Sequence, residues 1–288
     1  MFAMSDPAIR PSAAFEWSRR DFLAAAGLGV CTLGGCGAAP SGSTETRLLK
    51  AALNGGRQPG SHPALPTTPD AFAEAARRSV EAGAGAIHVH VRDPAAAESV
   101  RAEDVARIVI AVRAAVPDTR VGVSTHFGIV GDAEQRHALV SEWSVLPDFA
   151  SVNFNEPGAA SLAELLMEMG VGVEAGLFNA EATSTCVESG LAHDCLRLMM
   201  EPRGGDFQDA VRNVDEMEAV LDAAEVARPR LLHGFRATAW LLIELAAQRG
   251  YDTRAGLEDT FELADGTTAR DNAEIVTEAA RRIAAVTG

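Results

Sequence analysis

The chain has 288 residues, of which 47% are hydrophobic and 23% charged, a balance that excludes a disordered or fibrous protein. Its formal net charge is −15, so its surface repels the phosphates of nucleic acids and anionic lipids, and we expect neither as a partner. The length suits one barrel domain behind a short N-terminal extension.

The N-terminal segment has the composition of a targeting signal rather than of a folded domain. Arg19 and Arg20 precede an uncharged run, residues 22–44, which is repeatedly broken by glycine. This run is too weakly apolar for a good membrane span. Together with the arginine pair, it resembles a twin-arginine export signal, although a disordered extension or a misplaced start is the alternative.

A second short pattern lies within the same run. Residues 33–36, Leu-Gly-Gly-Cys, resemble a lipobox, in which Cys36 would carry a lipid. We therefore divide the chain into a leader, residues 1–45, and a body, residues 46–288. No stable membrane span is expected in the body.

From Arg47 onward, short apolar runs of strand type alternate with longer amphipathic segments of helix type. The predicted strands are Leu48–Asn54, Ala86–Arg92, Val121–Thr125, Ala150–Phe154, Gly172–Phe178, Leu196–Glu201, Arg230–Phe235 and Thr253–Glu258. The predicted helices begin near Pro69, Ala102, Asp132, Ser161, Ala180, Asp209, Ala237 and Arg270. Eight strand–helix units predict an α/β fold, the (β/α)₈ TIM barrel.

An open, doubly wound parallel sheet is the alternative architecture. Its usual phosphate-binding turn, Gly-x-Gly-x-x-Gly, does not follow the first predicted strand, and this weakens the alternative. Most predicted strands are apolar on both faces, as expected for a sheet that helices cover.

Polar residues cluster at the carboxyl ends of the predicted strands, where (β/α)₈ barrels carry their chemistry. Burying so many polar groups is costly unless they act together. The residues, in chain order, are Asn54, Arg57, His88, His90, Ser124, Thr125, Asn153, Glu156, Glu174, Glu201, His233, Arg254, Glu258 and Asp259.

The His88-Val89-His90 motif indicates a metal site. Residues two apart in a strand point to the same face, so both imidazoles can bind one ion. Strand 8 adjoins strand 1 in a closed barrel, and strand 2 follows, so Glu258 is the expected third ligand. A structural histidine pair is the alternative.

The segment Arg254 to Asp259 predicts a second functional group. Strand periodicity places Arg254 and Glu258 on one face, and Asp259 at the strand end can pair with Arg254. Such a pair keeps a carboxylate ionised as a base, or simply seals the barrel mouth. Glu156 and Glu174 are likewise open to either a binding or a structural reading.

Taken together, these motifs resemble the β-keto acid cleavage enzyme family, which includes 3-keto-5-aminohexanoate cleavage enzyme. The resemblance extends from about Leu48 to Ala284. The motifs that carry it are Asn54-Gly55-Gly56-Arg57, His62-Pro63-Ala64-Leu65-Pro66, Ala82-Gly83-Ala84, His88-Val89-His90-Val91-Arg92-Asp93, Ser124-Thr125, Ala150-Ser151-Val152-Asn153-Phe154, Arg254-Ala255-Gly256-Leu257-Glu258-Asp259 and Asp271-Asn272-Ala273.

The resemblance implies a zinc-dependent acyltransferase in which a β-keto acid reacts with acetyl-CoA to give acetoacetate and a new acyl-CoA. It implies zinc, or another divalent metal, on His88, His90 and Glu258. It also implies that Ser124 orients the substrate carboxylate and that Asp259, held by Arg254, acts as base on the acetyl group. The family is usually oligomeric, so a homo-oligomer, often a tetramer, is expected.

Further substrate contacts are expected from Asn54, Thr125, Glu156 and Glu174. The sequence departs from the family pattern at Arg57, where some members carry glutamate, and at His126-Phe127 and Ala95–Ala97, where glycine is common. These departures leave the particular keto acid unidentified.

Two questions stay open. Acetyl-CoA is cytoplasmic, whereas the leader suggests the cell envelope, so the localisation is undecided. Other readings of the body are a metal-dependent hydrolase or aldolase acting on a carboxylate substrate, and an exported barrel that only binds a carboxylate.

Cys186 and Cys195 are expected to be small buried residues, with a bridge between them unsupported.

Overall fold

The structure is a computed structural model that describes residues 47–203 and 206–288. The leader, residues 1–45, with its export signal and lipobox, lies outside the described residues. Within them, eight parallel strands form one sheet. The strands are β1 (Leu49–Ala52), β2 (Ala86–Val89), β3 (Arg120–Ser124), β4 (Phe149–Asn153), β5 (Gly172–Leu177), β6 (Arg197–Met200), β7 (Arg230–Leu232) and β8 (Thr253–Ala255).

Eight α-helices alternate with these strands in the described residues. They are α1 (Pro69–Glu81), α2 (Ala102–Ala115), α3 (Ala133–Ser141), α4 (Ala159–Glu168), α5 (Ala180–Glu188), α6 (Phe207–Ala223), α7 (Ala239–Arg249) and α8 (Asn272–Thr287). Several begin at a polar cap whose side chain accepts a hydrogen bond from the first turn, for example Asp132 before α3 and Asn179 before α5.

The sheet closes on itself. Its order runs β7-β6-β5-β4-β3-β2-β1-β8, with every neighbouring pair parallel. The two outer strands then meet, because Leu231 forms a parallel bridge with Asp252 and Leu232 N donates to Asp252 O at 3.0 Å. The predicted (β/α)₈ barrel is therefore confirmed, and the open-sheet alternative is wrong.

The strands are buried on both faces because helices cover the outside and side chains fill the interior. Close packing inside the barrel depends on one glycine in β3. A Cβ on Gly122 would collide with the ring of Phe149 on β4, so the glycine leaves the space that this ring occupies beside the buried Lys50.

The strands end earlier than the sequence predicts. Strand β8, for example, ends at Ala255 instead of Glu258, since the amides of Asp259 and Thr260 both donate to Gly256 O and close a turn. The apolar pattern continues past the last ladder hydrogen bond, so periodicity alone cannot locate the strand end. Glu258 is consequently a turn residue. The prediction that it shares a strand face with Arg254 is therefore wrong.

Cys186 and Cys195 are buried free thiols, so no bridge joins them. In residues 47–203 and 206–288 no helix has the length and apolar character needed to cross a bilayer.

Candidate active site

The carboxyl ends of the strands surround a cavity of about 310 Å³. This is the edge of the barrel where chemistry was expected. Its polar wall includes His88, His90, Ser124, Ser151, Asn153, Glu201, Arg254 and Glu258.

His88, His90 and Glu258 form the candidate metal centre at this cavity. His88 lies in β2, His90 directly follows that strand, and Glu258 lies in the turn after β8. One donor atom from each residue lies within 4.8 Å of the other two. His88 Nε2 is 3.8 Å from Glu258 Oε2, and His90 Nε2 is 3.6 Å from Glu258 Oε1.

The chemistry of these donors fits a divalent cation. Burial lowers the pKa of His88 to about 3, which leaves a neutral imidazole with a free lone pair. Burial alone would raise the pKa of Glu258, but Arg254 and the two imidazoles hold it well below its ordinary value. Glu258 Oε2 is buried without a hydrogen-bond partner among the described residues, and an ion bound by the three residues would satisfy it.

His90 is fixed on both its backbone and its ring. Its N–H donates to Asn54 Oδ1 at 2.9 Å, and Asn54 Nδ2 donates to its carbonyl at 2.8 Å. On the ring, Nδ1 lies 2.5 Å from Glu98 Oε1. Burial opposes protonation of His90, yet the Glu258 and Glu98 carboxylates outweigh it and raise the pKa of His90 to about 9.

Glu98 reaches His90 through a short hairpin after β2. Arg92 and Glu98 form an antiparallel bridge, and the connecting loop turns at Ala96, whose φ is 65°. A carboxylate behind a ligating imidazole orients the ring and raises its basicity toward a metal. Glu98 thus completes a carboxylate–histidine pair that the sequence pattern does not reveal.

Arg254 joins the metal centre to Asp259. Its Nη2 donates to Glu258 Oε1 at 2.8 Å and to Asp259 Oδ1 at 2.7 Å, while its Nε donates to Asp259 Oδ2 at 3.2 Å. Asp259 is only 1% exposed. The sequence prediction that Arg254 pairs with Asp259 is confirmed, and the same guanidinium also holds Glu258.

A buried histidine connects Asp259 with the cavity wall. His233 Nδ1 lies 3.5 Å from Asp259 Oδ1, and its Nε2 lies 3.1 Å from Glu201 Oε2. Burial would raise the pKa of Glu201, but the neighbouring His233 and Arg254 lower it. Two carboxylates therefore flank one imidazole beside the metal centre.

Half of the predicted site residues border the cavity. They are His88, His90, Ser124, Arg254 and Glu258. The other half, Asn54, Thr125, Glu156, Glu174 and Asp259, lie behind its wall.

The residues behind the wall have specific partners. Thr125 Oγ1 donates to Ser151 O at 2.7 Å, and Glu156 accepts from Arg136 at 2.7 Å and from Asn153 at 2.8 Å. Since Asn153 and Ser151 do border the cavity, these contacts hold its β4 side in place.

Glu174 does not line the cavity and lies in the barrel interior. It is fully buried between Lys50 and Arg197, with Arg197 Nη1 2.5 Å from its Oε1. Burial alone would raise its pKa, but these two cations lower the pKa of Glu174 to about 2.

Besides Glu98, four wall residues were not singled out from the sequence, namely Phe178, Met199, Arg203 and Phe235. Phe178 and Phe235 follow β5 and β7, and Arg203 lies in the loop after β6. The only local signal for Arg203 is its place between a strand end and the Gly204-Gly205 pair, which is typical of a loop.

The fold and the site define a (β/α)₈-barrel protein with a candidate His-His-Glu metal centre at the carboxyl edge of its strands. Residues 47–288 match the family model described as beta-keto acid cleavage enzyme. The chain belongs to this family, and the resemblance read from its sequence is confirmed.

The chain is also similar to one curated relative and to two solved structures. The 3-keto-5-aminohexanoate cleavage enzyme of Fusobacterium nucleatum subsp. nucleatum is 25% identical over 253 residues, 82% of this chain and 91% of that protein. ObcA in a binary complex with oxaloacetate has a TM-score of 0.60 at 19% identity, covering 76% of this chain and 63% of its own. The 3-dehydroquinate dehydratase of Geobacillus kaustophilus has a TM-score of 0.56 at 10% identity, and the match covers 84% of this chain and 91% of that protein.

The chain spans less than two thirds of the length of ObcA. At such identities the two solved structures support the barrel fold alone.

Proposed function

We propose that this protein is a metal-dependent acyltransferase that converts a β-keto acid and acetyl-CoA into acetoacetate and a new acyl-CoA. Membership of the β-keto acid cleavage enzyme family supports this, as does similarity to a 3-keto-5-aminohexanoate cleavage enzyme. The observation that carries the proposal is the convergence of His88, His90 and Glu258 on one cavity, with Arg254 bonded to Glu258.

Zinc is the proposed ion, because two imidazoles and a carboxylate are its common ligands in catalytic sites. His88, His90 and Glu258 would hold it, and Glu98 would orient His90. When bound, it supplies a Lewis acid for the keto oxygen of the substrate.

The atom balance of the reaction locates the proton that must be removed. In acetoacetate, a new bond joins C2 of the keto acid to the acetyl carbonyl carbon, while the bond from C2 to the keto carbon breaks and CoA passes to that carbon. The carbanion must therefore form at C2 of the keto acid. A base that acted on the acetyl group, as expected from the resemblance, does not lead to these products.

Asp259 is the proposed final acceptor of the proton on C2, and because it does not line the cavity, the proton would reach it through Glu201 and His233. Arg254 holds both of its oxygens and favours the ionised form. Its link through His233 to Glu201 connects it with the cavity wall. Glu201, which borders the cavity directly, is the second carboxylate that a test of this role must include.

Ser124 is proposed to donate a hydrogen bond to the substrate carboxylate, because its side chain borders the cavity next to the metal centre. For Asn54, Thr125, Glu156 and Glu174, the observed contacts favour positioning roles over direct substrate contact. Asn54 holds the backbone of His90, and Glu156 holds the side chain of Asn153.

A panel of β-keto acids incubated with the full-length, metal-analysed protein tests the function. We expect acetoacetate and an acyl-CoA to appear together, in equal amounts, only when acetyl-CoA is present. Cleavage without acetyl-CoA would indicate a hydrolase or aldolase instead. Saturable binding without turnover of any panel member would indicate a binding barrel, and either result would overturn the proposal.

A further inference from the structure

Arg203 is a cation without an anionic partner at the cavity. Its guanidinium carbon lies 4.4 Å from the ring centroid of Phe178 and 4.8 Å from that of Phe235. Within residues 47–203 and 206–288, no carboxylate lies within ion-pair distance of it. Two aromatic faces restrict the guanidinium without consuming its hydrogen-bond donors.

Arg57 lies in the loop after β1 and borders the same cavity. Its Nε donates to Glu258 O at 3.0 Å and its Nη2 to Asp259 O at 3.2 Å. The guanidinium lies 4.5 Å from the ring centroid of Phe261. Arg57 is thus held rigidly by neutral partners, and no described carboxylate forms an ion pair with it.

A third arginine increases the positive charge at this place. Burial, and then the nearby Arg236, lower the pKa of Arg57. Arg236 has a φ of 51°, in the left-handed region that non-glycine residues rarely adopt. Arg57, Arg203 and Arg236 all border an outer groove that shares Glu258 and Phe235 with the metal cavity.

Arg57, Arg203 and Arg236 form a local group of cations without ion pairs to described residues, in an otherwise acidic chain. The chain contains 40 acidic and only 25 basic residues, and many of its other arginines form ion pairs. Like charges that crowd together without counter-ions destabilise a fold. A ligand that brings its own negative charge would remove this cost.

We propose that Arg57 and Arg203 bind a second carboxylate of the substrate, so that the preferred substrates are β-keto dicarboxylic acids. This rests on the proposed function for the reaction itself. The keto acid end would lie at the metal centre and Ser124, and the distal carboxylate at the two guanidiniums.

The size of the cavity favours the keto acid over CoA as the source of this anion. Arg57 and Arg203 border the same cavity of about 310 Å³ as the metal ligands. In acetyl-CoA, the long pantetheine arm separates the thioester from the diphosphate. Its phosphates therefore could not lie in this cavity together with an acetyl group at the metal centre. In the outer groove, which the same arginines border, they are the competing anion that the KM for acetyl-CoA distinguishes.

Two six-carbon substrates test the proposal, 3-oxohexanedioate and 3-oxohexanoate, which differ only in the terminal carboxylate. For the full-length, metal-loaded protein we expect kcat/KM to favour the diacid by about 10–100-fold, the usual contribution of a charge-assisted hydrogen bond. Arg203→Gln should bring this ratio close to one, and Arg203→Lys should retain part of it. Arg281→Gln, a distant surface change in α8, is the matched control.

Equal use of both substrates by the wild type would overturn the proposal, as would an unchanged ratio in Arg203→Gln. A rise in the KM for acetyl-CoA alone would assign the arginines to CoA phosphates and would also overturn it. Calorimetric binding of hexanedioate against hexanoate, without acetyl-CoA, keeps the two proposals separate. Suppose that no keto acid is turned over, but that hexanedioate binds more tightly than hexanoate. If Arg203→Gln removes this preference and Arg281→Gln does not, the carboxylate site is supported and the acyltransferase proposal is wrong.

Discussion

The ring of His90 lies between two carboxylates, Glu98 on Nδ1 and Glu258 near Nε2. Without a metal ion, the two negative carboxylates stabilise the protonated, positively charged imidazole. The same negative charges attract a metal cation bound at the ring. The geometry therefore serves a metal better than it serves a structural histidine pair. His88, by contrast, has no described partner on Nδ1, so its orientation depends on β2 and on packing.

The role of Glu98 can be measured through metal affinity. Glu98→Gln keeps the shape of the side chain but removes its charge, so we expect metal affinity to fall by about 10–100-fold. His90→Ala should remove most of the bound metal. Glu103→Gln, on the exposed surface of α2, is the control. Competition with a chromogenic chelator gives the affinities, and wild-type affinity in both Glu98→Gln and His90→Ala would contradict the assignment.

Asp259 offers a sharper test of catalysis. Asp259→Asn keeps the size of the group and removes the proton acceptor, so turnover should fall by about 10²–10⁴ while metal content is retained. If Asp259 serves only to anchor Arg254, the variant should melt at a lower temperature and the folded fraction should keep nearly normal turnover. Glu201→Gln in parallel is decisive, since a large loss there and none at Asp259 would transfer the role to Glu201.

The sequence located the metal residues because their signal is local. His88 and His90 are two residues apart, and Glu258 belongs to a distinctive motif with Arg254. Glu98 and Arg203 could not be found in this way. Glu98 meets His90 through a hairpin turned by Ala96, and Arg203 depends on two aromatic residues from separate strand ends. Neither arrangement leaves a spacing that a single sequence reveals.

At the scale of strands, a buried ion network supports the site from below. Lys50 on β1 and Arg197 on β6 both pair with Glu174 on β5, and Arg197 Nε also donates to Asp252 Oδ2 at 3.0 Å. Because β1 and β5 are not neighbours in the sheet, the Lys50–Glu174 pair crosses the barrel interior. Removing one member would leave a buried charge without its partner, which is strongly destabilising.

Acid sensitivity should report on this network. The pKa of Glu174 is about 2, against an ordinary 4.5, which corresponds to about 3 kcal/mol of stabilisation. Because the folded-state pKa is depressed, this stabilisation is complete above about pH 4.5 and is lost as the pH falls toward 2. Glu174→Gln should therefore be less stable at pH 7 by about 3–5 kcal/mol and should show a weaker loss of stability below pH 4.5.

Urea unfolding of both proteins at pH 7, 4.5 and 3 measures the difference. Glu164→Gln, on the exposed side of α4, should follow the wild type at each pH. If the free energy of unfolding falls with pH by the same amount in the wild type and in Glu174→Gln, the titration of Glu174 does not contribute to acid sensitivity.

The sequence predicted the number, order and direction of the elements, because alternating short and long apolar segments encode a parallel barrel. It did not predict where the strands end. In β8 the turn begins at Gly256, where a Cβ would collide with Ala52 O of β1. That close approach is a tertiary contact, and it moves Glu258 from a strand into a turn.

At the scale of the molecule, the oligomeric state remains a prediction. Family resemblance suggests a homo-oligomer, and light scattering on the purified protein should give a mass several times the 30.2 kDa of one chain. A mass equal to one chain across a range of concentrations would contradict it.

The leader carries the remaining prediction, and it bears on the function of the whole chain. The twin-arginine route reads the arginine pair and carries proteins that are already folded, which suits a barrel that takes up its metal before export. Residues 1–45 fused to a reporter that is active only after export should therefore yield activity outside the cytoplasm. Arg19→Lys together with Arg20→Lys should abolish it, whereas Arg10→Lys, outside the pair, should not. Retention of the native fusion inside the cell would end the export interpretation and would leave the barrel in the compartment that holds acetyl-CoA. Successful export would instead require a different acceptor for the acyl group, so the same measurement constrains the proposed chemistry.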